Sequence, residues 1–410
     1  MQRRDRIPHP QQPRPAPIPD GSVVQLNARA TSLWRRGQAW YYADDLVGPV
    51  AGAALVRVYD FEGRACGLGF TSVTSKLALR ACGTWREGPL PDRIEFFAAR
   101  LLAAIERRAG QLGPEDGARL VHGEADDLPG LVIDRYGPVL VLQTTAPFVE
   151  ASLDAIVPLL VDRLGAEAVV ARNDVAVRKL EGLPHEVRLL HGKRIEQVVI
   201  VEDGLRHLVE PFTGHKTGFY LDQRPARALV RELAKGKRVL DLFSYQGGFS
   251  LSALKGGAQS ALAIDQSERA LQLAQQGAEQ NGLTGLQTER ANVFDFLRGL
   301  REGDRQFDLI VLDPPAFAKS KRELGGALRG YRDLNRQALR LLAPYGWLVT
   351  CSCSHHMSLP AFEDTARQSA AGLPFKVALH QRLGAGSDHP VWLSMPESEY
   401  LKTLLLRRMD

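Results

Sequence analysis

The second half of the chain alternates short apolar runs with apolar positions at helical spacing. This pattern predicts helices at Gln223–Ala234, Gly248–Lys255, Ser267–Gln280 and Tyr331–Leu342. It predicts strands at Arg238–Phe243, Ser260–Ile264, Leu286–Arg290, Phe307–Leu312 and Gly346–Ser352, with Phe375–Leu379 and Tyr400–Leu406 as the last two strands. Such alternation is typical of a doubly wound α/β sheet, here of seven strands, whose ligands bind at the carboxyl ends of its strands.

The N-terminal region shows a different pattern, in which short strands are separated by glycine. Strands are predicted at Ser32–Gly37, Ala39–Tyr42, Ala53–Tyr59 and Cys66–Phe70, with a hairpin turn at Phe61–Gly63. Many short strands with regular turns predict a small β-barrel.

The region between these two is mixed, and it predicts a central α/β domain. A helix is expected at Pro89–Leu112 and another at Pro147–Leu164, with strands at Leu131–Arg135, Val139–Gln143 and Ala168–Ala171. Asp203-Gly204, between Val198–Val201 and Leu205–Val209, is a strong hairpin signal. We therefore expect a disordered tail at 1–22, the barrel at 23–85, the central domain at 86–192 and the sheet domain at 193–410.

Composition indicates a soluble globular protein. Of 410 residues, 44% are hydrophobic and 24% charged, and no apolar run approaches the ~18 residues that would cross a bilayer, so we expect no membrane partner. Residues 1–19 hold six prolines and four arginines without an apolar centre, so we expect neither a signal peptide nor a core element there. Four scattered cysteines, at 66, 82, 351 and 353, predict neither a disulfide framework nor a metal site. The expected setting is a reducing cytoplasm.

Positive charge is concentrated at the N-terminus. Residues 1–110 hold 16 Lys and Arg against 10 Asp and Glu, a net +6, whereas the remaining residues hold 36 against 37. This distribution favours a polyanion such as RNA, although an ordinary solvated arginine-rich surface would look the same. Trp34-Arg35-Arg36 is either part of an RNA-binding surface or, through Trp34, part of the core.

The turn after the first strand of the sheet domain is a candidate ligand site. Asp241 ends the strand, and Ser244–Gly248 turns tightly into a helix, which suits either a nucleotide or S-adenosylmethionine (SAM). The Gly-x-Gly-x-x-Gly spacing of dinucleotide sites is absent, which favours SAM. Asp265, at the end of the next strand, could accept both ribose hydroxyls or simply cap the following helix. Asn292, after the third strand, is placed to bond the adenine amino group.

A carboxylate and a thiol follow two further strands. Asp313-Pro-Pro comes after one strand, and Cys351-Ser-Cys353 ends the next. Carbon 5 of a pyrimidine becomes nucleophilic once a thiolate has added to carbon 6, and cysteine is the side chain suited to that addition. Cys353 is the candidate nucleophile. Cys351 is interpreted as a small buried residue, the commoner fate of a free cysteine.

These residues resemble a known family, the bacterial 23S rRNA cytosine-C5 methyltransferases of the large-subunit methyltransferase I type. The resemblance lies in five ordered motifs: Arg119–Tyr136, His215–Arg224, Asp241–Phe249, Asp313–Lys321 and Ser352–Ser354. It implies a PUA barrel, a central α/β domain and a Rossmann-like catalytic domain. It also implies 23S rRNA or a large-subunit assembly intermediate as partner, and a homodimer is a further expectation.

The same resemblance implies roles for particular residues. Cys353 would be the nucleophile and Asp313 the carboxylate that contacts the base. The SAM pocket would be lined by Tyr220, Asp222, Gln223, Arg224, Asp241, Ser244, Gly247, Asp265 and Asn292. One departure is Pro315, which stands where other RNA cytosine-C5 methylases carry a second cysteine, so another group or water must take the carbon-5 proton.

Three alternatives remain at this point. Asp-Pro-Pro followed by an aromatic residue also resembles methylases of purine nitrogens, including guanine-N7 rRNA methylases, which need no thiol. A uracil-C5 methylase uses a similar thiol. The chain could also be a non-catalytic RNA-binding protein, although the intact turn, Asp265 and Asp313 argue against that reading.

Overall fold

The computed structural model describes residues 22–85, 88–109, 113, 116–300, 305–317 and 321–410. The predicted disordered tail lies outside the described residues, apart from its last position. So do residues 318–320 of the Asp313–Lys321 motif and the end of the predicted helix Pro89–Leu112. Among the described residues, no helix is both long and apolar enough to cross a membrane.

From residue 22 onward, the described part of the N-terminal region forms a five-stranded sheet and one α-helix. Its elements are β1 (Val23–Gln25), α1 (Ala28–Arg35), β2 (Trp40–Tyr42), β3 (Leu55–Tyr59), β4 (Ala65–Thr71) and β5 (Leu77–Ala81), with strand order β1-β3-β4-β5-β2. The predicted strand Ser32–Gly37 is wrong, because most of it belongs to α1. Asn27 caps that helix by accepting a hydrogen bond from the Ala30 amide at 2.8 Å, a signal that the strand interpretation ignored.

Trp34 is partly buried and packs against the core of this region. Its ring stacks on Tyr41 with centroids 5.7 Å apart. A side chain at Gly67 would collide with it, since a Cβ there would lie 2.3 Å from the indole. The structure therefore favours the core role for Trp34 over a direct RNA contact.

The central region forms a second five-stranded sheet. Its elements are α2 (Arg93–Glu106), β6 (Gly117–His122), β7 (Leu131–Tyr136), β8 (Val139–Thr144), α3 (Pro147–Glu150), α4 (Leu153–Leu164), β9 (Ala168–Arg172) and β10 (Val187–Gly192), with strand order β10-β9-β8-β7-β6. The predicted helix Pro147–Leu164 is interrupted at Ser152, whose hydroxyl donates to the Phe148 carbonyl at 2.6 Å and so competes with the helical backbone.

The N-terminal and central regions share a core. Phe70 of β4 packs against Phe96, Phe97 and Phe148, with ring centroids 4.8 to 6.2 Å apart. Beside this contact, Arg80 of β5 and Glu181 form an ion pair at 2.6 Å that is almost fully buried on both sides. Breaking a buried pair leaves an uncompensated charge, so the two regions are firmly joined.

A hairpin leads into the sheet domain, as predicted. It consists of β11 (Val198–Glu202) and β12 (Leu205–Val209). Asp203 and Gly204 have φ of 50° and 72°, the left-handed pair that a two-residue hairpin turn requires.

The third region is the predicted seven-stranded sheet. Its strands are β13 (Arg238–Leu242), β14 (Ser260–Asp265), β15 (Leu286–Arg290), β16 (Phe307–Leu312), β17 (Leu342–Ser352), β18 (Val377–Leu383) and β19 (Lys402–Arg408), in the order β15-β14-β13-β16-β17-β19-β18. Its helices are α5 (Arg224–Leu233), α6 (Gly248–Lys255), α7 (Glu268–Gln280), α8 (Val293–Gly299), α9 (Leu324–Arg340) and α10 (Leu359–Ala370). The strand order reverses between β13 and β16, which marks the position where α/β sheets bind ligands.

Candidate active site

A cavity of about 280 Å³ opens at this reversal point, at the carboxyl ends of β13 to β17. Its wall has two parts. The cofactor half comprises the turn Ser244–Gly248 with Asp265 and Asn292. The catalytic half comprises Lys216, Asp222, Asp313 and Cys353. The segment His215–Gln223 covers the cavity, and its His215 ring stacks on Tyr245 at 4.3 Å.

The turn of the cofactor half is held in a strained backbone conformation. Phe243 and Tyr245 adopt positive φ of 63° and 49°, which bulky residues rarely do, and Gly247 has φ of 70°. A Cβ at Gly247 would lie 2.8 Å from that of Ala274, so this glycine lets α6 pack against α7. Gly247 thus shapes the turn from outside the cavity lining, whereas Gly248 lines it.

Asp265 organises the turn while facing the cavity. One carboxylate oxygen accepts from the Tyr245 amide at 2.9 Å, and the other accepts from the Ser267 amide at 2.8 Å. The cap of α7 is Ser267, whose hydroxyl accepts from the Ala270 amide. A carboxylate has about four acceptor positions, so Asp265 keeps capacity for a ligand. Asn292 lines the cavity and uses its carbonyl oxygen to cap α8.

Asp241 lies fully buried beneath the turn rather than in the cavity lining. One of its oxygens accepts from the amide and the hydroxyl of Ser250, at 3.0 and 2.7 Å. The other oxygen is buried and has no partner among the described residues. Burial, with a smaller contribution from Asp265, raises the pKa of Asp241 to about 7.

The polar groups of the cofactor half fit a polar ligand such as SAM. The Ser244 hydroxyl and both amide atoms of Gln246 are buried in the cavity wall without a hydrogen-bond partner among the described residues. An unsatisfied buried polar group costs ~1–3 kcal/mol, so a ligand that pairs with several of them gains affinity. Sequence reasoning missed Gln246, although it lies within the turn it identified.

Cys353 and Cys351 lie in different environments. Cys353 lines the cavity, whereas Cys351 is fully buried with its Sγ 3.3 Å from the Thr403 hydroxyl. Two residues apart on one strand they would share a face, but β17 ends at Ser352, so Cys353 leaves the register of the sheet. Only Cys353 of this pair can meet a substrate.

Behind Cys353 the strand end is fixed by buried polar groups. Lys402 is buried and donates to the Ser354 carbonyl at 2.8 Å, and burial lowers its pKa to about 8. The Ser352 hydroxyl donates to the Tyr331 hydroxyl at 3.0 Å. These contacts hold the backbone on both sides of the thiol.

The catalytic half crowds acidic groups together. Burial, followed by repulsion from Asp313, raises the pKa of Cys353 to about 11. Burial, followed by repulsion from Asp222, raises the pKa of Asp313 to about 7. Gln223 donates to one oxygen of Asp313 at 2.9 Å. Near neutral pH, Asp313 therefore exchanges a proton readily, and the thiol of the free protein is mostly protonated.

Lys216 is the counter-charge of this half. Its Nζ lies 2.9 Å from the Asp222 carboxylate and 4.4 Å from the centre of the Tyr220 ring. The Asp222 carboxylate also accepts a hydrogen bond from the Tyr400 hydroxyl at 2.6 Å. Burial opposes ionisation of Asp222, but Lys216 and these hydrogen bonds hold its pKa below the usual value. Lys216 has φ of 52°, and its charge lowers the pKa of both Asp313 and Cys353.

Eight of the eleven residues singled out from the sequence line the cavity: Cys353, Asp313, Tyr220, Asp222, Gln223, Ser244, Asp265 and Asn292. Asp241 and Gly247 support the turn from outside. Arg224 lies elsewhere, because its guanidinium pairs with Glu202 at 3.2 Å and donates to the Gly117 carbonyl. Lys216 was missed as a site residue, although it belongs to the His215–Arg224 motif.

Comparison with known proteins agrees with this geometry. Residues 138–405 match the family of S-adenosylmethionine-dependent methyltransferases, and residues 24–82 match a PUA-like domain. The Ribosomal RNA large subunit methyltransferase I of Aeromonas hydrophila is 39% identical over 396 residues, which are 94% of this chain and 99% of that protein. The protein of the same name from Aeromonas salmonicida is 40% identical over 394 residues, 94% of this chain and 98% of the relative.

Solved structures share the fold. A methyltransferase crystallised in complex with SAH has a TM-score of 0.81 and 24% identity, and the match covers 94% of this chain and 99% of that one. A SAM-dependent methyltransferase from Streptococcus mutans has a TM-score of 0.80 and 23% identity over the same shares.

Proposed function

The chain belongs to the family of large-subunit ribosomal RNA methyltransferases I, which are SAM-dependent, and from that premise we propose that it methylates carbon 5 of a cytosine in 23S rRNA. The proposed route is a covalent bond from the Cys353 sulfur to carbon 6 of the ring. The observation that supports it is the placement of Cys353 and Asp313 in the cavity that the cofactor half also lines, with Cys351 in the core.

The thiol proton has a natural acceptor in Asp313. With a Cys353 pKa of about 11, only about one thiol in 10⁴ is ionised at pH 7. Ionised Asp313 carries the largest charge effect on Cys353. We propose that its carboxylate takes the thiol proton and then donates it to N3 of the cytosine as sulfur attacks carbon 6. The carbon 5–carbon 6 π electrons then form the carbon 4–carbon 5 double bond of an enamine, and the carbon 4–N3 π electrons hold the proton at N3.

Lys216 stabilises the charges of this step. Its ammonium favours the thiolate and the ionised Asp313 in the free protein, because it lowers the pKa of both. The Lys216 ammonium lies against buried Asp222, so its charge acts on the cavity through less water than a charge on an open surface would. Asp222 and the Tyr220 ring keep its ammonium at the cavity.

SAM, when bound, supplies an electrophilic methyl group to carbon 5. Asp265, Asn292, Ser244 and Gln246 would hold it, with Asp241 supporting the turn beneath. After methyl transfer, carbon 5 loses its proton to water, the carbon 5–carbon 6 double bond re-forms and the Cys353 thiolate leaves carbon 6. Water takes the carbon-5 proton because Pro315 offers no acidic or basic group. N3 then returns its proton through Asp313 to that thiolate, which restores the starting protonation of both side chains.

Mass spectrometry of rRNA tests the target base directly. Large-subunit rRNA from a strain lacking the gene should miss one 5-methylcytidine, and the wild-type gene should restore it. The Cys353→Ala gene should not. Loss of 5-methyluridine instead would move the target to uracil, and loss of a methylguanosine would refute the thiol mechanism.

The cellular partner is proposed to be 23S rRNA, free or within an assembly intermediate, in the cytoplasm. Comparing methylation of deproteinised rRNA with that of intermediate particles separates the two substrates. A homodimer stays a prediction, which light scattering of the purified protein checks.

A further inference from the structure

The loop between β18 and β19 presents a leucine to solvent. Leu393 is 96% exposed, the largest exposure among the large hydrophobic residues that the structure describes, and Val391 beside it is 46% exposed. Single exposed apolar residues are common on protein surfaces and need no explanation by themselves. Leu393 differs from such residues because hydrogen bonds fix the loop that carries it and the loop contacts two functional regions.

Hydrogen bonds among residues 392–398 fix the conformation at the tip of the loop. The Trp392 amide donates to the Ser398 hydroxyl at 2.8 Å, and that hydroxyl donates to the Met395 carbonyl at 2.7 Å. The Met395 amide in turn donates to the Trp392 carbonyl at 2.8 Å, and the Met395 side chain is buried. These bonds close a tight turn that holds Leu393 outward.

Both ends of the loop reach the methylation cavity. On one side, the His389 amide donates to the Gly386 carbonyl at 2.9 Å, and the Gly386 amide donates to the carbonyl of the cavity residue Asp222 at 3.1 Å. On the other side, Tyr400 donates to Asp222, and Leu401 lines the cavity. Because Leu393 is seven residues from Tyr400, it lies within about 25 Å of it.

The loop also touches the PUA-like region. A Cβ at Gly37 would lie 2.5 Å from the Cβ of Ser394, so the residue after Leu393 packs against the turn that follows α1. Exposed Arg36 precedes that glycine and offers positive charge to a phosphate backbone. Leu393 therefore lies on the loop that connects exposed Arg36 of the PUA-like region with the cavity wall.

Methylation of a base in folded rRNA requires that the base first be unstacked, and Leu393 is positioned to assist this step. An rRNA base in a folded segment is stacked, and its carbon 6 reaches a thiol at the bottom of a cavity only after the base has left the stack. Apolar side chains inserted between base steps compensate for such unstacking. We propose that Leu393 is a wedge that enters the rRNA stack and fills the place vacated by the target base. The proposal rests on the rRNA methylation proposed above.

Two substrates and a fluorescent reporter test the wedge. The folded 23S rRNA segment with the mapped target is compared with a short single-stranded oligonucleotide of the same sequence. Leu393→Ala should lower kcat/KM by about tenfold on the folded segment and by less than about twofold on the oligonucleotide, because only the first is stacked. Leu393→Met should keep activity on both. Leu180→Ala, at an exposed leucine of the central region, is the matched control.

The reporter is 2-aminopurine placed beside the target in the folded segment. Its fluorescence should rise when wild-type protein binds, because the neighbouring base unstacks, and should rise less with Leu393→Ala. An unchanged rise, or equal losses of activity on both substrates, would overturn the wedge. Should the oligonucleotide not be methylated, the reporter alone decides. Neither readout depends on which ring atom is methylated, so failure of the wedge and failure of the carbon-5 mechanism remain distinguishable.

Discussion

The two halves of the cavity are built by different means. In the cofactor half, Asp265 and Asn292 bond to main-chain amides, and a strained turn sets the shape of the wall. In the catalytic half, charged side chains hold one another, and burial shifts the pKa of Asp313 and of Cys353. Substitutions in the cofactor half should therefore change SAM affinity, whereas those in the catalytic half should change the rate.

The sharpest contrast in rate lies between the two cysteines. Cys353→Ala should lower turnover at least ~10⁴-fold because it removes the nucleophile, and SAM affinity by calorimetry should stay the same. Cys351→Ala should keep turnover and lose about 1 kcal/mol of unfolding free energy from the vacated volume. Methylation by Cys353→Ala protein would refute the carbon-5 mechanism.

Removing the cation should give the next largest loss. Lys216→Met should slow single-turnover methylation about 10²-fold and shift alkylation of Cys353 to higher pH, because the charge that lowers the thiol pKa is gone. Tyr400→Phe, which keeps the cation and removes one bond to Asp222, is the matched control and should have a smaller effect. An unshifted alkylation profile in Lys216→Met would remove Lys216 from the mechanism.

The pH dependence reports Asp313. Its pKa of about 7 belongs to an acid whose ionised form accepts the thiol proton. The value of kcat/KM should therefore fall below pH 7 and be about 100-fold lower at pH 5 than on the plateau above pH 8. Asp313→Asn should be slow at every pH and lose this dependence. A profile that is flat from pH 5 to 7 in the wild-type protein would exclude Asp313 as the base.

Substitutions in the cofactor half should change the affinity for SAM. Asp265→Ala should weaken SAM binding by ~1.5–3 kcal/mol, the scale of a hydrogen bond to a charged group, with little change in rate at saturating SAM. Ser267→Ala is the control, since it removes the α7 cap and leaves Asp265 in place. Equal affinities of Asp265→Ala and wild type in calorimetry would count against Asp265 as a ligand.

Beneath this half, Asp241 should cost stability. Its pKa is about 7 in the folded protein and 3.8 in the unfolded chain, so protonation favours the folded state. This contribution is fully present below pH 4 and is lost as pH rises through 7, where the buried carboxylate lowers the free energy of unfolding. Asp241→Asn should therefore raise the unfolding free energy at pH 8 by about 1–2 kcal/mol, and have little such effect at pH 4. Denaturation at both pH values checks this, and a variant that is less stable at pH 8 would contradict it.

The sequence predicted the sheet domain well because its signals are local. Short apolar runs and strand-end acids mark β13 to β17, and the carboxyl ends of parallel strands meet by geometry alone. The prediction failed where tertiary contacts decide. The sequence left an RNA-binding and a core role open for Trp34, and only its packing on Tyr41 favours the core. The strand β10 was missed because it carries an exposed pattern without a strand's apolar alternation.

The prediction of site residues also worked where the signal was local and failed where tertiary contacts decide. Residues at strand ends, such as Asp265 and Asp313, lie in the cavity wall, and their roles there stay predictions. Arg224 was misplaced because its partners, Glu202 and Gly117, are distant in sequence and only the fold brings them together. The importance of Lys216 depends on its pairing with buried Asp222, which a motif does not reveal.

Covalent trapping tests the central claim most directly. Wild-type protein is incubated with SAM and an rRNA segment that carries 5-fluorocytidine at the mapped target, then resolved under denaturing conditions. Fluorine cannot leave as the proton does, so wild-type and Cys351→Ala proteins should form a denaturation-resistant complex linked through Cys353, and Cys353→Ala should form none. Absence of the complex in wild-type protein that methylates the unfluorinated segment, or its presence in Cys353→Ala, would contradict the account.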